Sequence, residues 1–312
     1  MIHPIYIMAL LTTVAALVAW GMLLWQMSPR DDRRRWLLVM VGLGFFMSPL
    51  AYWGFRQPVL MWPLEPILSE PGWNEGIWWY LRGAIRLAYA PLTEEPAKLL
   101  PWWCLLACGA RLKPVREMHA ALALAAGLSF AVGEIWLVAT LVAVPQDAQL
   151  AAMPWYQFGG FFSERLMTCL SHSLFCLPTI VGSAHSRKMG AAGLALGMAL
   201  HWLGNAPILL MRQNAFGWST PVWTVIVQMW VLAFAIAGLV ALTIAYVGRE
   251  RFRLVWARHM ICPGCGAKYR QPILLGLNFG LYRYERCGAC AKWHWVTLKD
   301  LAPPQKATEQ VT

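Results

Sequence analysis

Charged residues are scarce in this chain, since Asp, Glu, Lys and Arg together make up only 13% of its 312 residues. Hydrophobic residues make up 59%, whereas a soluble domain has about 45–50% apolar and about 25% charged residues. This shortage of charge excludes an ordinary soluble protein and indicates an integral membrane protein. Acidic residues are the scarcer kind, 15 against 26 basic ones. Basic cytoplasmic loops explain that excess better than nucleic acid does, so we do not expect nucleic acid as a partner.

The first apolar run lacks the marks of a cleavable signal peptide. No basic segment precedes it and no small-residue cleavage site follows it, so we expect it to remain as a helix. Short-period internal repeats and low-complexity segments are also missing, apart from a polar tail at 301–312 that we expect to be disordered. Only one predicted span has charges flanked by proline, and no matching half is visible, which counts against a transporter built from two matching halves.

Seven apolar runs are long enough to cross a bilayer as helices of about 20 residues. They predict an all-α polytopic membrane domain over residues 1–250, with about seven transmembrane helices. The runs are near 5–27, 36–56, 85–109, 119–144, 160–185, 190–211 and 221–247.

Basic residues are missing from alternate loops between these runs. The segments 57–76 and 145–159 contain no Lys or Arg, whereas 28–35 contains four and 110–118 contains three. Loops rich in Lys and Arg remain in the cytoplasm. The pattern therefore predicts a multi-pass protein of the cell (inner) membrane, with its N-terminus outside and its C-terminus in the cytoplasm.

Two C-x2-C pairs, Cys262/Cys265 and Cys287/Cys290, lie in the segment 251–300. Their spacing is typical of four-thiolate zinc sites, and the alternating sequence between them predicts a small β zinc ribbon. A pair of disulfides is the alternative, but the predicted topology places the segment on the reducing side. We expect a structural zinc ion, because four thiolates fill its tetrahedral shell.

Several ionisable residues within the predicted helices lie at one depth. A charge at the bilayer centre costs about 2.5–3.5 kcal/mol, so such residues usually face a cavity and indicate function. With a rise of about 1.5 Å per residue, those on predicted helices three to six lie within roughly 5 Å of the midplane. They are Glu94, Glu95, Glu134, His172 and His201.

Local spacing suggests how these residues are arranged. Glu94 and Lys98 are four residues apart and are predicted to pair on one helix face, which leaves Glu95 to face the cavity. His201 and Asn205 also share a face.

Two further features flank this level of the membrane. Pro91 and Pro96 remove backbone donors near the carboxylates, and we expect them to loosen the helix where water enters. Arg165 lies about 10 Å outward of His172 along the helix. We expect Arg165 to act as an entrance or orienting group.

Carboxylates and histidines in a wet pocket within the bilayer suit hydrolysis. A carboxylate can take a proton from water while an imidazole or amide stabilises the oxyanion. Alternatively, Glu134, His172 and His201 hold a second divalent metal ion with one position open for water. The sequence is compatible with both schemes.

Four short motifs follow one another on consecutive predicted helices. The segment 94-EEPAK-98 fits E-E-x-x-K, 130-FAVGE-134 fits F-x-x-x-E, and His172 and 201-HWLGN-205 supply a later His and an H-x-x-x-N motif. Over about 85–210 the chain resembles the PrsW family of intramembrane proteases, part of the wider CAAX-protease-and-bacteriocin-processing group. The resemblance implies hydrolysis of a peptide bond in a membrane-embedded or lipid-anchored protein substrate.

The resemblance also implies roles by position. Glu95, or Glu94, corresponds to the base that activates water, and Lys98 orients the glutamate pair. Asn205 becomes an oxyanion donor. The metal ligands or polarising partners are Glu134, His172 and His201.

Two other functions fit the same composition. A proton- or metal-coupled transporter would use the buried Glu and His residues. A non-catalytic membrane scaffold would use the ribbon to bind a partner. In each case the lipid bilayer is itself a partner of the chain.

Overall fold

The computed structural model describes residues 3–29, 31–110, 112–143, 154–213, 215–247, 260–269, 276–278 and 282–297. The chain divides into two compact units, Met1–Leu242 and Thr243–Thr312. The first unit is helical, and the second contains the β-strands. The tail predicted to be disordered, 301–312, lies outside the described residues.

Eight helices account for most of the described chain before the strands. Short 3₁₀ turns precede four of them, at Pro71–Asn74, Arg116–Met118, Trp155–Phe158 and Ala215–Gly217. The helices are α1 (Pro4–Met27), α2 (Arg33–Gly44), α3 (Met47–Leu68), α4 (Gly76–Ala107), α5 (His119–Ala143), α6 (Gly159–His185), α7 (Arg187–Arg212) and α8 (Thr220–Val247).

Five of these helices, α1, α5, α6, α7 and α8, are long and apolar enough to cross a membrane. Helices α2 and α3 meet at an angle of 44° and make a sixth span if they are counted as one broken helix. The count in the described chain is therefore lower than the predicted seven. The predicted span that is not counted is α4, which is 32 residues long but carries Glu94, Glu95 and Lys98 within its apolar sequence.

The second predicted helix is longer than its apolar run suggested. It bends at Phe45 and Phe46 and then continues as α3 to Leu68, although 57–76 was predicted to be a loop. Its middle segment, Leu50–Met61, has wide π turns that include Pro58. Such turns are frequent at functional sites.

Helix α4 is continuous, although it contains Pro91, Pro96 and Pro101. The prolines therefore produce no break in the helix at the level of the carboxylates, in contrast to the predicted loosening. The helix ends before Gly109, whose φ of +83° is the left-handed conformation that commonly terminates helices.

Helix α5 lies at the centre of the first unit, and 83% of its most apolar stretch is buried. Glycines let its neighbours approach closely, as small residues do between membrane helices. A side chain at Gly127 of α5 would collide with Ser173 of α6, and one at Gly197 of α7 with the Phe175 carbonyl group. This packing brings the polar residues of α5, α6 and α7 together.

The second unit contains two small antiparallel sheets. In one, β1 (Met260–Ile261) pairs with β2 (Lys268–Tyr269). In the other, the order is β3 (Gly276–Asn278), β4 (Tyr282–Arg286) and β5 (Trp293–Thr297). The predicted small C-terminal β region with its four cysteines is confirmed.

Candidate functional site

Four of the five residues predicted to share one depth line a cavity of about 290 Å³ in the first unit, and they are Glu94, Glu134, His172 and His201. Helices α3 to α7 each contribute charged or polar groups, and α8 adds apolar ones. The charged and polar lining residues are Arg56, Glu94, Glu134, Glu164, Arg165, Thr168, Ser171, His172, His201, Asn205 and Arg212.

One part of the cavity wall is formed by His172 and Glu134. His172 Nε2 lies 2.8 Å from Glu134 Oε2, and Arg165 Nη1 lies 3.2 Å from the same oxygen. A neutral imidazole beside a carboxylate donates from the nitrogen that faces it, so Nε2 carries the proton. His172 Nδ1 is then an acceptor, and it is buried without a hydrogen-bond partner among the described residues.

His201 lies between the two adjacent glutamates of α4. Its Nδ1 is 2.6 Å from Glu95 Oε1, and its Nε2 is 3.8 Å from Glu94 Oε2. Lys98 Nζ contacts the same Glu95 oxygen. Because Nδ1 donates to Glu95, the lone pair of Nε2 is directed toward Glu94.

The predicted division of roles between Glu94 and Glu95 is reversed. Lys98 Nζ is 3.9 Å from Glu94 Oε2 but makes its close ion pair with Glu95. Residues three apart on a helix are neighbours as much as residues four apart, so spacing alone could not choose between them. Glu94 lines the cavity, whereas Glu95 is packed behind it and is only 1% exposed.

Arg56 is a residue of this site that the sequence reasoning missed. Its guanidinium group pairs with Glu94 Oε1 and lies over the Tyr52 ring, 5.3 Å from the ring centroid. Arg56 stands in an apolar run next to a segment without other basic residues. That isolation was the available signal, because a lone Arg inside a span usually has a buried partner.

The guanidinium group of Arg165 lies closer to the centre of the cavity wall than its sequence position suggested. Arg165 was predicted to be an entrance or orienting group, and its guanidinium contacts Glu134 directly and also lies 2.5 Å from Glu164 Oε1. The rise along the helix gave the position of its backbone only. The long side chain extends back toward the cavity.

Three buried carboxylates in and beside the cavity each have a cationic partner, and one of these cations, Arg165, also pairs with Glu164. Buried charges are tolerated when they are paired in this way. The acidic members are Glu94, Glu95 and Glu134, and the basic members are Arg56, Lys98 and Arg165.

Several polar atoms in this network are buried without a hydrogen-bond partner within the described chain. They include Glu94 Oε2, Glu95 Oε2, Ser171 Oγ and His172 Nδ1. Buried polar groups in proteins are nearly always satisfied by protein, water or ligand. The cavity is therefore suited to hold water or a polar substrate group.

Aromatic rings fix the two imidazoles. Phe175 stacks on His201 with ring centroids 5.1 Å apart and planes 10° from parallel. Phe130 lies edge-on to His172 at 5.5 Å, and Lys98 Nζ lies 4.9 Å from the Phe130 ring centroid. The centroids of His172 and His201 are 5.7 Å apart. The rings thus have little freedom to reorient.

The remaining predicted site residue, Asn205, also lines the cavity, one helical turn after His201. The alternative metal site fits less well. In the described part of the chain, Glu134, His172 and His201 do not form a group whose ligand atoms lie within 4.8 Å of one another. His172 instead pairs with Glu134, and His201 pairs with Glu95.

The four ribbon cysteines do form such a group, with ligand atoms within 4.8 Å of one another. The Cys262 and Cys290 sulfurs are 3.8 Å apart, and those of Cys265 and Cys287 are 3.9 Å apart. Four sulfurs about 2.3 Å from one tetrahedral zinc ion would be about 3.8 Å from each other. The geometry fits a metal ion such as zinc.

The two C-x2-C turns have the same backbone structure. Gly266 N–H donates to the Cys262 carbonyl at 2.8 Å, and Ala291 N–H donates to the Cys287 carbonyl at 2.9 Å. The backbone N–H of Cys290 is the main influence that lowers the pKa of Cys287 to about 7, against the opposing effect of burial. Such N–H groups stabilise the thiolate that binds metal.

Comparisons with known proteins assign no relative to this chain, because no family model, curated protein or solved structure matches it.

Proposed function

We propose that this chain is an intramembrane peptidase that hydrolyses a peptide bond of a membrane-embedded or lipid-anchored protein, with Glu94 as the base. One observation supports this most directly. Glu94 Oε2 faces a cavity of about 290 Å³, is buried without a hydrogen-bond partner among the described residues, and lies 3.8 Å from His201 Nε2. A carboxylate oxygen placed in this way can hold and activate a water molecule.

In the proposed reaction, water binds between Glu94 Oε2 and His201 Nε2. Glu94 takes one proton as the water oxygen attacks the carbonyl carbon of the substrate. The Asn205 amide donates to the oxyanion of the tetrahedral intermediate. Glu94 then returns the proton to the leaving nitrogen as the C–N bond breaks, giving a carboxylic acid and an amine.

The other charged residues position these groups. Arg56 binds Glu94 Oε1, which leaves Oε2 for water. Glu95 and Lys98 hold His201 with Nδ1 protonated. Glu134 orients His172, whose free Nδ1 can accept a hydrogen bond from the substrate or from a second water.

The membrane arrangement is part of the proposal. We infer that α4 crosses the bilayer as a further span, because each of its three buried charges contacts an oppositely charged side chain. This gives seven spans in a cell (inner) membrane, with the N-terminus outside and the ribbon in the cytoplasm. The ordered motifs support a relation to the PrsW family. The ribbon cysteines hold one structural zinc ion.

The Glu94→Gln variant tests the proposal. It keeps the shape of the side chain but removes the base, so we expect cleavage to fall by about 100-fold or more. Peptides released from membranes containing the wild type, but not the variant, would be identified by mass spectrometry and rebuilt as fluorogenic reporters for the purified protein. Glu70→Gln, at an exposed residue, is the matched control.

Full cleavage by Glu94→Gln would refute the role of Glu94. The absence of any peptide that differs between wild-type and variant membranes would count against peptidase activity itself. Equal thermal midpoints of the helical unit in detergent for both proteins would show that the comparison is made on folded chains.

A transporter is the second candidate, and one observation favours it. The rings of His172 and His201 lie 5.7 Å apart and connect Glu134 with Glu95, an arrangement that could pass protons. Proton uptake into liposomes that is lost in His172→Gln, without any peptide cleavage by the wild type, would support transport instead.

A further inference from the structure

A second cavity, of about 250 Å³, lies between the first turns of α4 and the last turns of α7. Three arginines line it, and none of its described lining residues is acidic, although Glu65 contacts Arg86 from outside the lining. They are Arg82, Arg86 and Arg212, together with Trp79 and Gln213. Guanidinium groups bind phosphate with paired, charge-assisted hydrogen bonds, so the chemistry of the cavity suits a phosphate group.

The arginines are held in place by their neighbours. Arg86 Nε donates to Glu65 Oε1 at 3.0 Å, and the same guanidinium contacts the other Glu65 oxygen. The Arg82 guanidinium carbon lies 4.4 Å from the centroid of the Trp79 ring. Arg212 is the last residue of α7 and is exposed. A ligand would therefore meet two arginines that are held in position, Arg82 and Arg86, and a third, Arg212, at the mouth of the cavity.

The surroundings of the cavity indicate a membrane interface. Trp62, Trp78 and Trp218 are 69%, 51% and 45% exposed, and each belongs to a segment near this end of the helices. Exposed Trp residues collect at the level of the lipid headgroups. Apart from the cavity arginines, this end is poor in basic residues, since 57–76 contains none.

Gln213 supplies a second requirement for the ligand. Its Nε2 donates to the Trp79 carbonyl at 3.0 Å, which fixes the orientation of the amide. Its Oε1 is buried without a hydrogen-bond partner among the described residues. This oxygen needs a donor, and a headgroup hydroxyl or ammonium beside the phosphate provides one.

We propose that this cavity binds the headgroup of a phospholipid, with the phosphate on Arg82, Arg86 and Arg212 and a headgroup donor on Gln213. The site stands independently of the peptidase proposal. It shares Leu87, Ile208 and Arg212 with the larger cavity, so a bound lipid lies next to that cavity.

Calorimetric titration of the full-length protein in a maltoside detergent tests the proposal. The probe is dihexanoyl-phosphatidylglycerol, which carries both the phosphate and hydroxyl donors. Dihexanoylglycerol lacks the phosphate and should not bind, and dihexanoyl-phosphatidylcholine lacks the donor and should bind several-fold more weakly. Inorganic phosphate should compete with the lipid but bind at least tenfold more weakly, because it lacks the acyl chains.

Arg82→Gln should weaken lipid binding by about tenfold, the loss of one charge-assisted contact. Arg212→Gln, at the exposed end of α7, is a second variant that does not depend on buried packing. Arg187→Gln, at the exposed opposite end of the same helix, is the matched control and should bind as the wild type does.

Three results would overturn the assignment. Binding of the lipid with wild-type affinity by both Arg82→Gln and Arg212→Gln would refute the phosphate site. Equal binding of dihexanoylglycerol would show that acyl chains alone are recognised. Binding of inorganic phosphate as tightly as the lipid would identify a free anion rather than a lipid as the ligand.

Discussion

The two polar sites of this chain are built in opposite ways. The cysteine site takes all four sulfurs from two short turns with the same backbone structure, Cys262–Cys265 and Cys287–Cys290. The charged cluster around Glu94 takes its members from helices α3 to α7. The cysteine site needs four identical ligands, which two local turns supply. The charged cluster needs unlike charges on separate helices, and each charge must also contact the correct partner.

This difference explains why one site can be read from spacing and the other only in part. Each C-x2-C turn positions its own two sulfurs, so spacing defines the ligands. In the cluster, packing between helices decides whether Lys98 contacts Glu94 or Glu95. The following variants test this difference between the two sites.

The largest effect is expected from Cys265→Ser. Structural zinc contributes about 10–16 kcal/mol in small zinc domains, so the ribbon should lose its metal and unfold. The metal content, measured by mass spectrometry, should fall by one ion per chain, and the ribbon should become sensitive to protease. The helical circular dichroism should not change, because the helices form a separate compact unit.

Cys104→Ser is the matched control, since Cys104 is an exposed cysteine of α4. A Cys265→Ser protein that kept its full metal content would show that the ribbon cysteines are not the ligands.

The next effect is expected in the charged cluster, from Lys98→Met. It leaves Glu95 buried without its cation, and breaking a buried ion pair costs about 3–5 kcal/mol. The thermal midpoint of the helical unit in detergent should fall, while the ribbon keeps its metal. Lys188→Met, at an exposed position of α7, should leave the midpoint unchanged.

The double variant Lys98→Met/Glu95→Gln should recover most of this loss, because no unpaired charge then remains. If Glu94→Gln rescued Lys98→Met better than Glu95→Gln did, the pairing found here would be refuted.

The smallest effect is expected within the ribbon turns. Gly266 and Ala291 occupy equivalent positions with φ of +70° and +57°. A left-handed conformation costs a residue with a Cβ about 1 kcal/mol or more relative to glycine. Ala291→Gly should therefore tighten metal binding by about fivefold and Gly266→Ala should weaken it by the same factor. Competition with a chelator measures the metal affinity of both variants. A change in only one of them would show that the two turns are not equivalent.

The sequence predicted the elements that depend on local composition. Apolar runs located α1 and α5 to α8, and cysteine spacing located the metal-binding geometry. It also predicted that Glu94, Glu95, Glu134, His172 and His201 share one level. In the structure Glu94, Glu134, His172 and His201 line one cavity, and Glu95 is packed behind it. Depth along a helix follows from a constant rise, which is why this part was predictable.

The parts that were missed depend on contacts between helices. Arg56 pairs with Glu94 across two helices, and Arg165 reaches Glu134 through the length of its side chain. Neither contact follows from spacing along one helix. The extension of α3 to Leu68 was missed because its Pro58 and Pro66 resemble loop residues, although the helix accommodates both.

The pairing of Glu95 with His201 also has a consequence for how the protein is made. The two residues are 106 positions apart, so at about 5–20 residues per second the ribosome adds His201 roughly 5–20 s after Glu95. During that interval Arg56 and Lys98 can pair with the two glutamates, but Glu95 lacks the buried hydrogen bond from His201 Nδ1. Stable insertion of α4 should therefore wait for α7, and nascent chains truncated before His201 should leave α4 exposed to added protease or alkylating reagents.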